Sequence, residues 1–223
     1  MLSPLFRYRF TTTATLVLLA FALWSESFWQ PLDETWRDWL GFAPINLLDF
    51  QWQRLLTSSL LTAGGWKFPA SFVMLAVCVG LTERCYGTPA TMKLFLTSHV
   101  LVLIMISVTV LVLATNAPSP SILALAKERD IGPSAGYYGC LGAILMSWRS
   151  FAKRACVLCV FAILLFRLNI STACLPEEAA VVSADIAHLL AFPLGGLLAW
   201  CGYIASLPQA ATSPNSQIRP PGP

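Results

Sequence analysis

The stretch at residues 132–142 reads GPSAGYYGCLG, and its surroundings decide which fold the chain adopts. Its first five residues match G-x-S-x-G, the motif that carries the nucleophile of α/β-hydrolases on a sharp turn between a strand and a helix. No strand precedes Ser134, because the residues before it contain prolines and the mixed-charge run KERD. Pro133 suits the first turn of a helix, where its missing N–H would be unpaired anyway. The stretch therefore predicts the start of a helix, with Ser134 in its first turn.

The composition places this helix in a membrane. Hydrophobic residues make up 57% of the 223 residues, and charged residues make up only 11%. A soluble domain carries about 25% charged residues, so this chain has too little charge to cover a surface that faces water. The net charge of +3 is small and its basic residues are scattered, which gives no support for nucleic-acid binding. We therefore expect an all-α, multi-pass membrane protein.

Six apolar segments are expected to form transmembrane helices, and they lie at residues 12–28, 68–82, 92–114, 134–148, 155–168 and 184–206. Several are shorter than the ~20 residues that a lipid-facing span needs. We therefore predict one bundle over residues 1–206, in which the outer helices shield short inner ones and a cavity is open to water. The Pro-rich, polar residues 207–223 are expected to form a disordered cytoplasmic tail.

A long first loop separates the first two segments and is rich in aromatic residues, including Trp29, Trp36, Trp39 and Trp52. Tryptophan favours the membrane interface, so the loop is expected to lie at one surface of the bilayer. Basic residues gather on one side of a six-span topology, at Arg7, Arg9, Arg84, Lys93, Arg149, Lys153 and Arg154. The positive-inside rule then predicts that both termini are cytoplasmic.

Ser134 and His188 both lie near the non-cytoplasmic ends of their predicted spans. A serine hydroxyl needs an adjacent base to act as a nucleophile, and His188 is a candidate for that base. The alternative is that His188 makes a structural hydrogen bond between helices. The other histidine, His99, lies within the third segment and is expected to make a structural polar contact.

Several short motifs resemble those of the rhomboid family of intramembrane serine proteases. One matches Gly132, Ser134 and Ala135, and an aromatic residue follows one turn later at Tyr138. The sixth segment carries Ala187 and His188, followed by small residues at the spacing that permits close helix contact. These small residues are Ala191 and Gly195. Two further matches are Trp52 with Arg54 in the first loop, and Glu83 with Gly87 at the end of the second segment. The resemblance covers about residues 52–200.

This resemblance implies a six-helix bundle that cleaves transmembrane proteins within the lipid bilayer. Ser134 would be the nucleophile, His188 the base, and Tyr138 would pack against His188. The family works without a metal or an organic cofactor, and no cluster of ligating residues in the sequence argues for one. Arg54, Glu83, Gly87, Gly132, Ala191 and Gly195 would belong to structural motifs.

The sequence departs from that family where the oxyanion is bound. Lys67 and Ser71 occupy the positions of a histidine and an asparagine that help to form the oxyanion hole. Pro133 has no backbone N–H, although the amide before the nucleophile can serve as a donor in this family. Losing one such donor typically costs about 10²–10³ in rate.

Three hypotheses follow. The favoured one is an active, divergent serine endopeptidase with a Ser134–His188 dyad, because a protein that only binds has no need of Ser134, Tyr138 and His188 together. The second is a catalytically impaired pseudoprotease that binds membrane proteins for trafficking or degradation. In a variant of the first, a neutral Lys67 would itself act as the base.

Overall fold

The computed structural model describes residues 8–147 and 151–204, and this part of the chain consists of helices joined by loops and turns. Its α-helices are α1 (Arg9–Trp24), α2 (Glu34–Leu40), α3 (Arg54–Thr57), α4 (Lys67–Tyr86), α5 (Thr88–Asn116), α6 (Pro120–Lys127), α7 (Ser134–Ser147), α8 (Phe151–Thr172) and α9 (Ala179–Trp200). Two isolated bridges, between Pro31 and Gly64 and between Phe42 and Asp130, are the only extended pairings in these residues. The prediction of an all-α membrane protein is confirmed.

Each of the six apolar segments overlaps one helix, namely α1, α4, α5, α7, α8 or α9. Four stretches are long and apolar enough to cross a membrane, namely α4, α5, residues 155–172 of α8, and α9. The other two helices are shorter, since α1 has 16 residues and α7 has 14. Their lengths fall below the ~20 residues of a simple span, so the prediction of six spans stays a prediction. The predicted tail at residues 207–223 lies outside the described residues.

The inner helix α7 packs against α4, α5 and α9. Its glycines allow this close packing: a Cβ on Gly195 of α9 would lie 1.9 Å from the carbonyl oxygen of Gly139 on α7. A Cβ on Gly142 would lie equally close to the carbonyl oxygen of Phe192. Only a residue without a side chain fits at these positions. The small residues of the sequence therefore bring the backbones of α7 and α9 together.

The first helix is attached to the bundle by a buried carboxylate. Glu83, near the end of α4, is 1% exposed. It accepts hydrogen bonds from the backbone N–H groups of Phe10 and Thr11 and from the hydroxyls of Thr11 and Thr88. A buried carboxylate needs several such donors to offset its lost hydration. Glu83 thus joins the start of α1 to the junction of α4 and α5.

The long first loop contains short helices and exposed aromatic side chains. Trp29, Trp39 and Trp66 are each more than two-thirds exposed. Asp33 caps α2 by accepting a hydrogen bond from the N–H of Thr35 at 2.8 Å. Exposed tryptophans of this kind fit the predicted interfacial position of the loop.

The connection between α5 and α7 contains a short helix of its own, α6. Ser119 accepts a hydrogen bond from the N–H of Ile122, and Pro120 occupies the first helical position. These two residues form a strong helix start, which a search for long apolar runs overlooks.

Candidate functional site

A cavity of about 290 Å³ lies between α4, α7, α8 and α9, beneath the loops that precede α4 and α7. The first residues of α4 and α7 line it, as do the first half of α9 and the last part of α8. Its polar and charged lining residues are Arg37, Thr62, Lys67, Ser71, Arg129, Asp130, Ser134, Tyr137, Tyr138, Arg167 and His188. A cavity with several polar and charged side chains in its lining thus lies among helices that are otherwise apolar.

Ser134 is the first residue of α7 and lines this cavity. The preceding turn is formed by Gly132, whose φ of +130° few other residues adopt. The N–H of Gly132 donates to the carbonyl oxygen of Ser58 at 2.8 Å, and the carbonyl of Pro133 accepts from the N–H of Tyr137 at 3.1 Å. The turn and the first bonds of α7 therefore fix the position of Ser134.

His188 also lines the cavity and is 8% exposed. The ring of Tyr138 stacks on it, with 4.4 Å between centroids and 27° between ring planes. No hydrogen bond joins His188 to Ser134 within the described residues. Nδ1 of the His188 ring has no hydrogen-bond partner among the described residues. The structure thus brings Ser134, Tyr138 and His188 to one cavity without the bond that activates a nucleophile.

An ion pair with a buried carboxylate adjoins His188, and sequence reasoning missed it. Arg167 of α8 places Nη2 2.8 Å from Oδ1 of Asp185, one turn before His188 on α9. The Asp185 side chain is 2% exposed and the Arg167 side chain 50% exposed. Oδ1 accepts no hydrogen bond from the described residues, so charge attraction rather than a directed N–H holds the pair.

Asp185 lies 3.9 Å from Nδ1 of His188 through the same oxygen. Arg167, Asp185 and His188 therefore form a continuous polar group that reaches the cavity wall. A search for charged residues inside apolar segments would have found Arg167, because such residues are costly in a membrane and usually functional.

Lys67 and Ser71 line the cavity from the first two turns of α4. Lys67 is exposed and Ser71 is half-buried. In the described residues no carboxylate forms an ion pair with Lys67. The two residues thus lie beside the same cavity as Ser134, where Lys67 can offer charge and both can donate hydrogen bonds.

Asp130 is a second cavity residue that the sequence did not single out. Its backbone pairs with that of Phe42 in the first loop, through hydrogen bonds of 3.0 Å and 2.8 Å. Burial raises the pKa of its carboxyl to about 6, and the nearby charge of Glu128 adds to this shift. Asp130 therefore changes charge close to neutral pH.

The remaining motif residues lie away from the cavity or behind its wall. Arg54 donates to the carbonyl oxygens of Asp38 and Gly41 and so fastens the first loop. Gly87, with a φ of +80°, separates α4 from α5, and its N–H donates to the backbone carbonyl oxygen of Glu83. Ala191 is fully buried in the core near α7. Their contacts are structural.

His99 is buried on α5, with Nε2 3.4 Å from Oγ of Ser58. This is a polar contact of the structural kind that the sequence predicted. No group of three or more His, Cys, Asp or Glu side chains that could hold a metal occurs in residues 8–147 and 151–204.

Comparison with known protein families corrects one expectation. The sequence model of a family described as "Eukaryotic integral membrane protein (DUF1751)" matches residues 10–204, which is most of the chain. No curated protein and no solved structure matches the chain. Assignment to the rhomboid family of intramembrane serine proteases was wrong, because the matching family is a different one and its description names no protease. The chain belongs to this family of eukaryotic integral membrane proteins.

Proposed function

We propose that this protein binds transmembrane segments of other membrane proteins without cleaving them, in support of their trafficking or degradation. The observation that carries the proposal is the polar group of Arg167, Asp185 and His188 at the wall of a cavity between apolar helices. A charged side chain at the centre of a membrane helix costs about 2.5–3.5 kcal/mol on insertion scales. Polar groups in the cavity would offset that cost for a partner segment that carries one.

Unused bonding capacity in this group supports a binding role. The Arg167 side chain is half exposed and lines the cavity. Its guanidinium carries five N–H donors, and the contact with Asp185 involves Nη2. A polar group from a bound segment would accept hydrogen bonds from the remaining donors.

The arrangement is poorly suited to hydrolysis. No hydrogen bond joins Ser134 to His188 in the described residues, and no group orients the ring through Nδ1. Oδ1 of Asp185 lies 3.9 Å from Nδ1 of His188 without a hydrogen bond to it, and Arg167 pairs with the same oxygen, so Asp185 offers a general base little support. Pro133 supplies no N–H for an oxyanion.

The second candidate is a serine endopeptidase, and the stacking of Tyr138 on His188 beside Ser134 favours it. Oγ of Ser134 would attack a peptide carbonyl carbon while His188 takes its proton and returns it to the leaving amine. The Ser134 N–H, Lys67 and Ser71 would donate to the oxyanion. Hydrogen bonds in unliganded sites are often long and shorten only when substrate binds.

Topology is part of the proposal. With both termini in the cytoplasm, as the basic residues indicate, the cavity opens towards the opposite side of the membrane. Partner segments would then be recognised by their non-cytoplasmic halves.

Binding to designed single-pass peptides tests the two candidates against each other. The purified full chain in lipid nanodiscs would be mixed with a fluorescent peptide that carries one polar residue, and binding and cleavage would be measured on the same sample. We expect binding without cleavage, retained in Ser134→Ala and reduced in Arg167→Gln. Arg84→Gln is the matched control for the loss of a positive charge, because Arg84 lies in the last turn of α4, whereas the cavity adjoins the first turns of that helix. Cleavage that Ser134→Ala abolishes would establish the second candidate instead.

A further inference from the structure

The lining of the cavity is rich in positive charge. Four basic side chains line it, at Arg37, Lys67, Arg129 and Arg167, against the single carboxyl of Asp130. Three of them have carboxylate partners: Arg37 pairs with Glu128 at 3.5 Å, Arg129 with Asp38 at 2.7 Å, and Arg167 with Asp185 at 2.8 Å. None of these three carboxylates is a lining residue. A ligand in the cavity therefore meets mainly the basic members of each pair.

Arg167 has bonding capacity left for a ligand. A guanidinium carries five N–H donors in a planar fork, and the ion pair with Asp185 involves one nitrogen without a directed hydrogen bond. The side chain is half exposed and lines the cavity. The partner that best matches such a fork is a carboxylate, which accepts two parallel hydrogen bonds.

Lys67 supplies a second positive charge to the cavity, from the first turn of α4. It forms no ion pair with a carboxylate among the described residues. The cavity lining also contains the hydroxyl groups of Ser71, Tyr137 and Tyr138, and each of them can donate a hydrogen bond. A set of donors with two cations is complementary to a group that only accepts.

We propose that the transmembrane segments recognised by this cavity carry an acidic side chain, Asp or Glu, which binds between Arg167 and Lys67. This inference rests on the proposed function and specifies its partner. An acidic residue within an apolar segment is costly in lipid, so a cavity that pairs it would select such segments from the many purely apolar ones.

The position of Arg167 sets the depth of the acidic residue. Arg167 lies five residues before the end of α8 at Thr172, which is about 7 Å along the helix axis. In the test peptide, the acidic residue is therefore placed about five residues from the non-cytoplasmic end of its apolar stretch.

Three peptides that differ only at this position form the test, with Glu, Gln or Leu. Their affinity for the full chain is measured in nanodiscs of neutral lipid. We expect the Glu peptide to bind at least about tenfold more tightly than the Gln peptide. Equal binding of Glu and Gln, both above Leu, would overturn the acidic preference and leave the proposed function standing. If neither exceeded Leu, both the preference and the proposed function would be overturned.

Two variants connect the preference to the named residues. Arg167→Gln should remove most of the difference between Glu and Gln, and Lys67→Gln should reduce it. Because Lys67 is exposed and lies outside the ion pairs, Lys67→Gln keeps the test valid if Arg167→Gln does not fold. Arg84→Gln should change nothing. If anionic phospholipid in the nanodisc abolished binding of the Glu peptide, the cavity would be a lipid-phosphate site and the proposal would be wrong.

Discussion

Nη2 of Arg167 lies 2.8 Å from Oδ1 of Asp185, and this ion pair joins α8 to α9 beside the cavity. The carboxylate is almost fully buried and the guanidinium half exposed. The pair therefore has two consequences, since it joins two helices and it leaves a cation at the cavity lining.

Breaking this pair on one side should destabilise the protein more than removing it altogether. Arg167→Leu leaves the buried Asp185 without a compensating charge, which typically costs about 3 kcal/mol or more. In the double variant Arg167→Leu, Asp185→Leu, no charge is left unpaired, so much of the lost stability should return. Thermal unfolding in detergent measures both, with Arg84→Gln as control. A double variant less stable than Arg167→Leu would contradict this account of the pair.

Close contact between α7 and α9 predicts a strong effect of a single methyl group. Gly195→Ala would place a Cβ 1.9 Å from the carbonyl oxygen of Gly139, so the helices must separate. Overpacking of this kind typically costs about 1–3 kcal/mol. The melting temperature should fall accordingly.

The matched control is Gly80→Ala on α4. Its Cβ would lie 3.6 Å from the nearest atom, Cγ2 of Thr11, which is an ordinary contact. Alanine also favours a helix by up to about 1 kcal/mol over glycine, so this variant should be as stable as the parent or more stable. Equal loss in both variants would show that close approach of α7 and α9 is not the cause.

Glu83→Gln should loosen the start of α1. The amide keeps one acceptor oxygen but turns an NH₂ group towards two of the four donors that Glu83 now satisfies. Unsatisfied buried groups cost roughly 1–3 kcal/mol. Hydrogen exchange at the amides of Phe10 and Thr11 should accelerate, whereas the exposed Glu34→Gln should leave it unchanged. Unaltered exchange in Glu83→Gln would refute this role.

Asp130 predicts a specific pH dependence of stability. Its pKa is about 6 in the folded protein, against 3.8 ordinarily, so between these values the folded state holds more protons than the unfolded state. The free energy of unfolding therefore falls as pH rises from about 4 to about 6, by up to about 3 kcal/mol.

Asp130→Asn removes this titration. At neutral pH the variant should be more stable than the parent, and the difference should vanish towards about pH 4. Thermal unfolding across this range is the measurement, with the exposed Asp49→Asn as control. A constant difference between parent and Asp130→Asn at all pH values would rule out titration of Asp130 as its cause.

Hydropathy located the six longest helices, because each of them contains an apolar run. It did not locate α6, whose eight residues are defined by the Ser119 cap and Pro120 rather than by an apolar run. The pairing of Arg167 with Asp185 could not be predicted from the sequence either, since it depends on how α8 and α9 face each other.

The family assignment failed for a physical reason. The motifs that suggested a protease consist largely of small residues, and Gly195 and Ala191 are needed by the close packing of α7 and α9 whether or not Ser134 is a nucleophile. Such motifs predict helix contact well and catalysis poorly. The placement of Ser134, Tyr138 and His188 beside one cavity carries more information, and their shared cavity supports either candidate function.

Site-specific photo-crosslinking in nanodiscs tests the central claim most directly. A photoreactive amino acid at position 71, in the cavity lining, is compared with one at position 73, which is exposed on the same helix. With the Glu peptide, the account predicts an adduct of the intact peptide that forms preferentially from position 71. Equal crosslinking from both positions, or adducts that contain only a cleaved fragment, would contradict it.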